Sequence, residues 1–395
     1  MGSLRVVIVG GGLAGHRAAS VLLRDGFAGE VVLVGDERHA PYDRPPLSKQ
    51  VLAGTMEPEA CVFPPLDGVR HQAGAPAVEL DADAHEVLLA DGTAVPYDRL
   101  LVATGRRPRT SSVAAEVGGV LTLRGLDDAL ALRHAVRRAR RVLVVGAGFI
   151  GCEVAATLRG LGVEEVTVVE LASQPMPVTG PEVGRRAAAL HAAHGVDLRL
   201  STSVDELEPA GSGQLAHLSD GATVASDVVL VALGSVPNTD WLAGSALELD
   251  DRGAVVCDAT CLAVGVEDVA AAGDVAAWPQ PLAGGAPVSI EHWAIARDMG
   301  PVAARNLLAT AEERRSFAPV PTFWSDQYDV KLKSAGLLSA ADRFVVTEEE
   351  PDRRALVVEA LRGDELVGVV AWNRTKKVIE HQRALAARLV EQVAA

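Results

Sequence analysis

The sequence has little cysteine, few aromatics, an excess of acids over bases and no long apolar run. Its four cysteines are Cys61, Cys152, Cys257 and Cys261, so none falls between Met1 and Gln50. The closest pair, Cys257 and Cys261, has no neighbouring His or Cys pair to complete a metal site. No metal is expected, and all four thiols are expected to be reduced, without a redox role. A formal charge of −15 excludes general attraction to nucleic acid or to an anionic membrane, though it does not say where individual charges sit. No apolar stretch approaches the ~18–20 residues of a membrane span. The opening Met1-Gly2-Ser3-Leu4-Arg5 runs straight into a strand-like segment, so no signal peptide is expected and the chain reads as cytoplasmic. The ten histidines, His16 and His292 among them, have neither ligand nor triad spacing and read as structural or exposed.

What is present is a length of 395 residues with 49% apolar side chains, enough for two or three domains. Val6 to Val9 is a β-branched run followed at once by Gly10-Gly11-Gly12-Leu13-Ala14-Gly15, a helix-compatible stretch to about Arg24, and a second run, Val31 to Val34, ending in Gly35-Asp36-Glu37. Strand, glycine turn, helix and strand make the opening of a dinucleotide-binding βαβ unit. The pattern returns: Val142 to Val145, then Gly146-Ala147-Gly148-Phe149-Ile150-Gly151, a helix-like stretch, and Val166 to Val169 closed by Glu170. One such fingerprint is weak. Two in register, each with an acid at the expected distance, are strong.

In each unit the first two glycines let the backbone turn and approach a pyrophosphate, and the third lets helix and strand pack closely. Gly10, Gly12 and Gly15 fit, as do Gly146, Gly148 and Gly151. The exposed N–H groups at each helix start then attract the phosphate charge. The acid that takes a ribose hydroxyl belongs ~20 or more residues beyond the first glycine. Glu170 meets this in the second unit, and no Arg or Lys follows until Arg185 to pair with a 2′-phosphate, which favours NADH over NADPH. In the first unit Asp36 and Glu37 both qualify, with Asp36 slightly preferred.

Two strand–glycine segments, Leu100 to Gly105 and Val228 to Gly234, mark places where the chain can cross between domains. Val269 to Asp274 follows, then a predicted helix from about Glu291 to Leu308. Beyond Pro319 and Pro321, Phe344 to Val346 and Ala355 to Val358 suggest an antiparallel sheet, and Lys376 to Val393 a terminal helix.

The segment Pro41-Tyr42-Asp43-Arg44-Pro45-Pro46-Leu47-Ser48-Lys49 is long and specific. With Ala103-Thr104-Gly105, Ala272-Gly273-Asp274 and Phe323 to Tyr328 in the right order, the chain resembles the putidaredoxin reductase-like family of FAD-dependent NAD(P)H:ferredoxin reductases of bacterial oxygenase and cytochrome P450 systems. The resemblance covers essentially the whole chain. It implies an α/β fold of two Rossmann-type domains plus a C-terminal α+β domain. The FAD domain would be split (residues 1–111 and 246–317) around an inserted NAD domain (112–245), with the C-terminal domain over 318–395.

The same resemblance implies FAD contacts at Ala14, Lys49, Val78, Thr104, Arg124, Asp274, Trp293 and Trp324, with Gly234 on the nucleotide side. Asp274 would hold the ribityl chain, and Trp324 would shield the flavin or lie on the electron exit route. Glu153, expected on the first turn of its helix, would pair with Lys49 beside the nicotinamide as the catalytic pair. The implied reaction is hydride transfer from NADH to FAD N5, then single-electron transfer to a [2Fe–2S] ferredoxin, by a monomer or homodimer. Arg297, Arg305, Arg314, Arg315, Lys331 and Lys333 are candidates for a ferredoxin-docking patch. An NADH oxidase or rubredoxin reductase is the alternative on the same scaffold. The oxidase reading usually calls for a redox cysteine near the flavin, which the Arg44–Lys49 segment lacks. A nucleic-acid-binding or sensing flavoprotein is disfavoured by the charge.

Overall fold

The computed structural model describes residues 4–110 and 119–394. The expected domain boundary at residues 111/112 lies outside them.

Two five-stranded parallel sheets organise the chain. In the first, strands run in the order Val269–Ala271, Arg99–Val102, Arg5–Val9, Glu30–Val34 and Val69–Gln72. In the second the order is Val196–Leu200, Glu165–Glu170, Arg141–Val145, Val228–Val231 and Val120–Leu121. The central strands are β-branched and buried at almost every position, not at every second one. That is what a parallel sheet covered on both faces requires. Each sheet carries a three-stranded antiparallel meander, residues 77–96 on the first and 204–226 on the second. Sequence pattern did not announce either.

The glycine-loop helices are Leu13–Arg24 and Phe149–Gly160. The first packs on the helix Trp293–Leu308 so closely that a Cβ on Gly300 would lie 2.3 Å from the Ala14 carbonyl oxygen. This long helix starts at Trp293, two residues later than expected, after His292 in extended conformation.

The chain crosses between the two sheets through Arg106–Pro108 and returns through Ser235–Pro237. The two crossings pair with each other as an antiparallel ribbon. Trp241 and Leu242 then pack in the core of the first unit, ahead of the expected return point at residue 245. Their apolar bulk goes where the larger core accepts it.

The C-terminal unit is an antiparallel sheet ordered Thr322–Gln327, Val330–Gly336, Glu365–Trp372, Ala355–Arg362 and Arg343–Glu350, followed by the helix Thr375–Ala394. Val330, Leu332, Val358 and Trp372 share one apolar cluster with Val154, Leu158 and Met176 of the second unit. The C-terminal sheet is therefore seated on the second glycine-loop helix. No helix among the described residues is long and apolar enough to cross a membrane.

Candidate functional site

The two glycine loops have the same geometry for the same steric reasons. Gly10 has φ +124°, and a Cβ there would stand 2.1 Å from the Ala103 carbonyl oxygen; Gly146 has φ +105° and would meet Ala232 at 2.5 Å. Gly15 and Gly151 each place their Cα against the carbonyl of the first glycine, where a Cβ would lie 2.0 Å away. Gly12 and Gly148 differ, since a Cβ there would meet nothing within 4 Å. The second glycine of each loop therefore faces open space at a helix N-terminus, which is the room a pyrophosphate needs.

Glu170 closes its strand beside the second loop. Its carboxylate accepts the Ala147 N–H at 2.7 Å and the Ala172 N–H at 2.8 Å, so it is held against the cradle. In the first unit Glu37 accepts from Arg44 Nη2 at 2.6 Å and from the Tyr42 hydroxyl. Burial raises the Tyr42 phenol, so it keeps the proton it donates. Asp36 is exposed.

Arg44 also donates to the Arg124 carbonyl at 2.8 Å, and Arg124 Nη2 reaches Asp274 Oδ2 at 3.1 Å. Thr104 and Asn238 bond reciprocally, Thr104 Oγ1 to Asn238 O at 2.8 Å and Asn238 Nδ2 to Thr104 O at 3.0 Å. A Cβ on Gly273, at φ +79°, would lie 3.1 Å from Ala14 Cβ, so Ala14 and Asp274 border the same junction. The structure thus brings Ala14, Arg124 and Asp274 to the open end of the first sheet. Gly234, at φ +84°, turns the chain into the returning crossing strand. Val78 is not gathered there. It sits at a bulge of the first meander, about half exposed, and none of these contacts involves it.

Trp293 donates its indole N–H to Asp43 Oδ1 at 2.6 Å and meets Trp324 edge to face, ring centroids 5.8 Å apart. Trp324 is 37% exposed. Beside them His292 lies against Phe323, with Nδ1 buried and unpartnered. Burial lowers its pKa to about 4, with Asp274 opposing the shift.

Lys49 Nζ stands 2.6 Å from Glu153 Oε2, joining the first unit to the second. Glu153 begins the second turn of its helix and not the first, because Gly148 is the cap and Phe149 the first helical residue. Helix-end electrostatics therefore do not account for it. It is 4% exposed and accepts two further bonds that sequence reasoning missed, from Ser48 Oγ at 2.7 Å and from Ser325 Oγ at 2.8 Å. A carboxylate so buried is tolerable only when paired and hydrogen-bonded on both oxygens. Ser48 and Ser325 lie inside motifs already singled out, but nothing local marks them as ligands of an acid far along the chain.

All four cysteines are free and buried. Cys152, next to Glu153, has its thiol pushed well up by burial, and burial pushes Cys257 up to about 12. Neither presents a thiolate near neutral pH.

Residues 4–300 match the pyridine nucleotide-disulphide oxidoreductase family, and residues 322–395 match the reductase C-terminal family. The chain is 36% identical to rhodocoxin reductase of Rhodococcus erythropolis, over 98% of this chain and 90% of that protein. It is likewise 36% identical to the ferredoxin–NAD(+) reductase component of the anthranilate 1,2-dioxygenase system of Burkholderia cepacia, over 96% and 94%. Among solved structures, the covalent putidaredoxin reductase–putidaredoxin complex superimposes with a TM-score of 0.89 at 31% identity, covering 97% of this chain and 93% of that one. The chain belongs to the pyridine nucleotide-disulphide oxidoreductase family, among the reductases that resemble putidaredoxin reductase.

Proposed function

We propose that the chain is an NADH-dependent reductase that carries FAD on its first unit and passes electrons one at a time to a [2Fe–2S] ferredoxin serving an oxygenase or P450. The observation that carries this reading is the Lys49–Glu153 pair, which joins the first unit to the second with its carboxylate buried and is flanked by no reactive thiol. When bound, FAD supplies the ability to accept a hydride from a nicotinamide and release its two electrons singly.

The protein's own part is placement and field. The loop at Gly10–Gly15 holds one pyrophosphate, and the Arg124–Asp274 pair lies where a polyol chain would be bonded. The loop at Gly146–Gly151 holds the second dinucleotide, and Glu170 accepts its ribose hydroxyls. Lys49, fixed by Glu153, Ser48 and the Pro45 carbonyl, presents a positive charge that favours negative charge on a reduced flavin.

Docking of an acidic ferredoxin by this acidic chain needs a local basic patch. Of the candidate cations, Arg297 lies 5.3 Å from the Trp293 ring, and Lys333 stands opposite Trp324 in the hairpin register. Lys333 thus neighbours the exposed Trp324 directly, and Arg297 neighbours Trp293, whose ring meets Trp324. Arg297 is also paired with Asp298 at 2.7 Å, as Arg305 is with Asp25 at 2.7 Å, and Arg314 and Arg315 are exposed beyond the helix. An acceptor panel under NADH tests the reading. Ferredoxin should turn over faster than rubredoxin, oxygen or disulfides, and the rate should fall as salt screens the patch. Preference for oxygen or a disulfide over every ferredoxin tried would overturn it.

A further inference from the structure

We propose that Ser325, Gln327 and His191 are positioning residues for Glu153, forming a one-way hydrogen-bond chain in which each donor points toward its carboxylate. This rests on the Lys49–Glu153 pair being where the nicotinamide docks.

The chain follows from donor and acceptor chemistry. Ser325 Oγ donates to Glu153 Oε1 at 2.8 Å, and Gln327 Nε2 donates to Ser325 Oγ at 3.1 Å. That leaves Gln327 Oε1 facing His191 Nε2 at 3.0 Å. A carbonyl oxygen only accepts, so His191 carries its proton on Nε2. His191 Nδ1, 3.1 Å from the Tyr328 hydroxyl, is then the acceptor of that O–H. The sequence of donation is Tyr328 to His191 to Gln327 to Ser325 to Glu153, with no reversal. Burial lowers the His191 pKa and raises that of Tyr328, so the imidazole stays neutral and the phenol protonated.

Burial makes this arrangement consequential. Ser325, Gln327 and His191 are 0%, 3% and 1% exposed, so an unmade bond in the chain would not be replaced by bulk water. In so dry a place, bonds aligned head to tail polarise one another and strengthen the last of them. The far end is fixed by shape. Tyr328 takes a left-handed backbone (φ +53°) at the turn between its two strands, and its ring stacks on His194 at 3.7 Å. Such a conformation persists in an aromatic residue only when its surroundings hold it. The C-terminal hairpin is thus clamped to the helix Pro181–Ala193, and through Ser325 that clamp sets the orientation of Glu153 and hence of Lys49.

The test uses the FAD-loaded full chain and rapid mixing with NADH. Ser325→Ala should lower the limiting rate of flavin reduction by roughly tenfold while the half-saturating NADH concentration moves by less than about threefold. Ser325→Thr, which keeps the hydroxyl, should recover most of that loss. Independently of turnover, imidazole ¹⁵N NMR of the wild type should find His191 protonated at Nε2 and unprotonated at Nδ1. A wild-type limiting rate in Ser325→Ala, or the opposite His191 tautomer, would overturn the relay. If Ser325→Ala does not fold, Ser325→Cys, a weaker donor of similar size, is held to the same rate criterion. Lys49→Gln separates the two levels. If it too reduces at the wild-type rate, the docking reading fails; if only Lys49→Gln is slow, the relay alone fails.

Discussion

Asp43 and Trp293, 250 residues apart, are joined by a 2.6 Å hydrogen bond from the indole N–H to the carboxylate. The bond ties the proline-rich segment that carries Lys49 to the first residue of the long helix behind Asp274. It explains how Lys49, the residue just past the short 3₁₀ turn Pro45–Ser48, is aimed at a glutamate in another domain. The turn is anchored at both ends, by Asp43 on one side and by Thr157 Oγ1, which donates to the Ser48 carbonyl at 2.8 Å, on the other.

The glycine loops separate folding from cofactor binding. Gly12→Ala should leave the apoprotein as stable as the wild type, because its Cβ enters open space, yet cut flavin retention by about tenfold or more. Gly15→Ala should instead destabilise the fold by roughly 1–3 kcal/mol or more, its Cβ lying 2.0 Å from the Gly10 carbonyl. Thermal melts of apoprotein with flavin absorbance after gel filtration check both. Equal flavin content in wild type and Gly12→Ala would contradict the cradle.

Glu170→Ser should lower kcat/KM for NADH by about tenfold and leave the value for NADPH unchanged or raised. The selectivity ratio would move toward one. An unaltered ratio would remove Glu170 from ribose recognition and leave it as the acceptor of the Ala147 and Ala172 N–H groups.

Lys49→Gln and Glu153→Gln should each slow flavin reduction by about a hundredfold in anaerobic rapid mixing, with FAD still bound. Lys49→Gln is expected to be the less stable of the two, because it leaves Glu153, only 4% exposed, as an unpaired anion, whereas Lys49 is 16% exposed and keeps some access to water. Loss of FAD without slowed reduction would make the pair structural.

His292 makes stability depend on pH. Its folded pKa of about 4 lies below the ordinary 6.5, so the unfolded chain binds the extra proton as pH falls between those values. This group's contribution is therefore complete above pH 6.5 and is lost on acidification toward 4, by about 2 kcal/mol at pH 5. Urea unfolding at pH 7.5 and 5 should give a smaller difference for His292→Gln than for the wild type. Equal differences would mean that His292 is already charged in the fold.

Much of the fold was legible because its requirements are local. Gly10 and Gly146 are dictated by their own φ and by a carbonyl a few ångströms away, and Glu170 by the end of a strand. The buried runs at Val6–Val9 and Val142–Val145 read as central strands for the same reason. Lys49 and Glu153 were legible only through resemblance, since no local pattern links residues 104 positions apart. Ser48, Ser325, Gln327 and His191 were not legible. Each is a common polar residue whose significance comes from a partner on another domain. The two meanders were missed because their strands are half exposed and alternate too irregularly, with bulges at Ala77/Glu79 and Val204/Glu206.

The most direct measurement is the stoichiometry of a single anaerobic turnover. Enzyme reduced with one equivalent of NADH is mixed with excess [2Fe–2S] ferredoxin, and the iron–sulfur and flavin absorbances are followed together. The account requires two ferredoxins reduced per flavin reoxidised. Flavin that stays reduced beside oxidised ferredoxin, under conditions where oxygen or a disulfide reoxidises it, would contradict it.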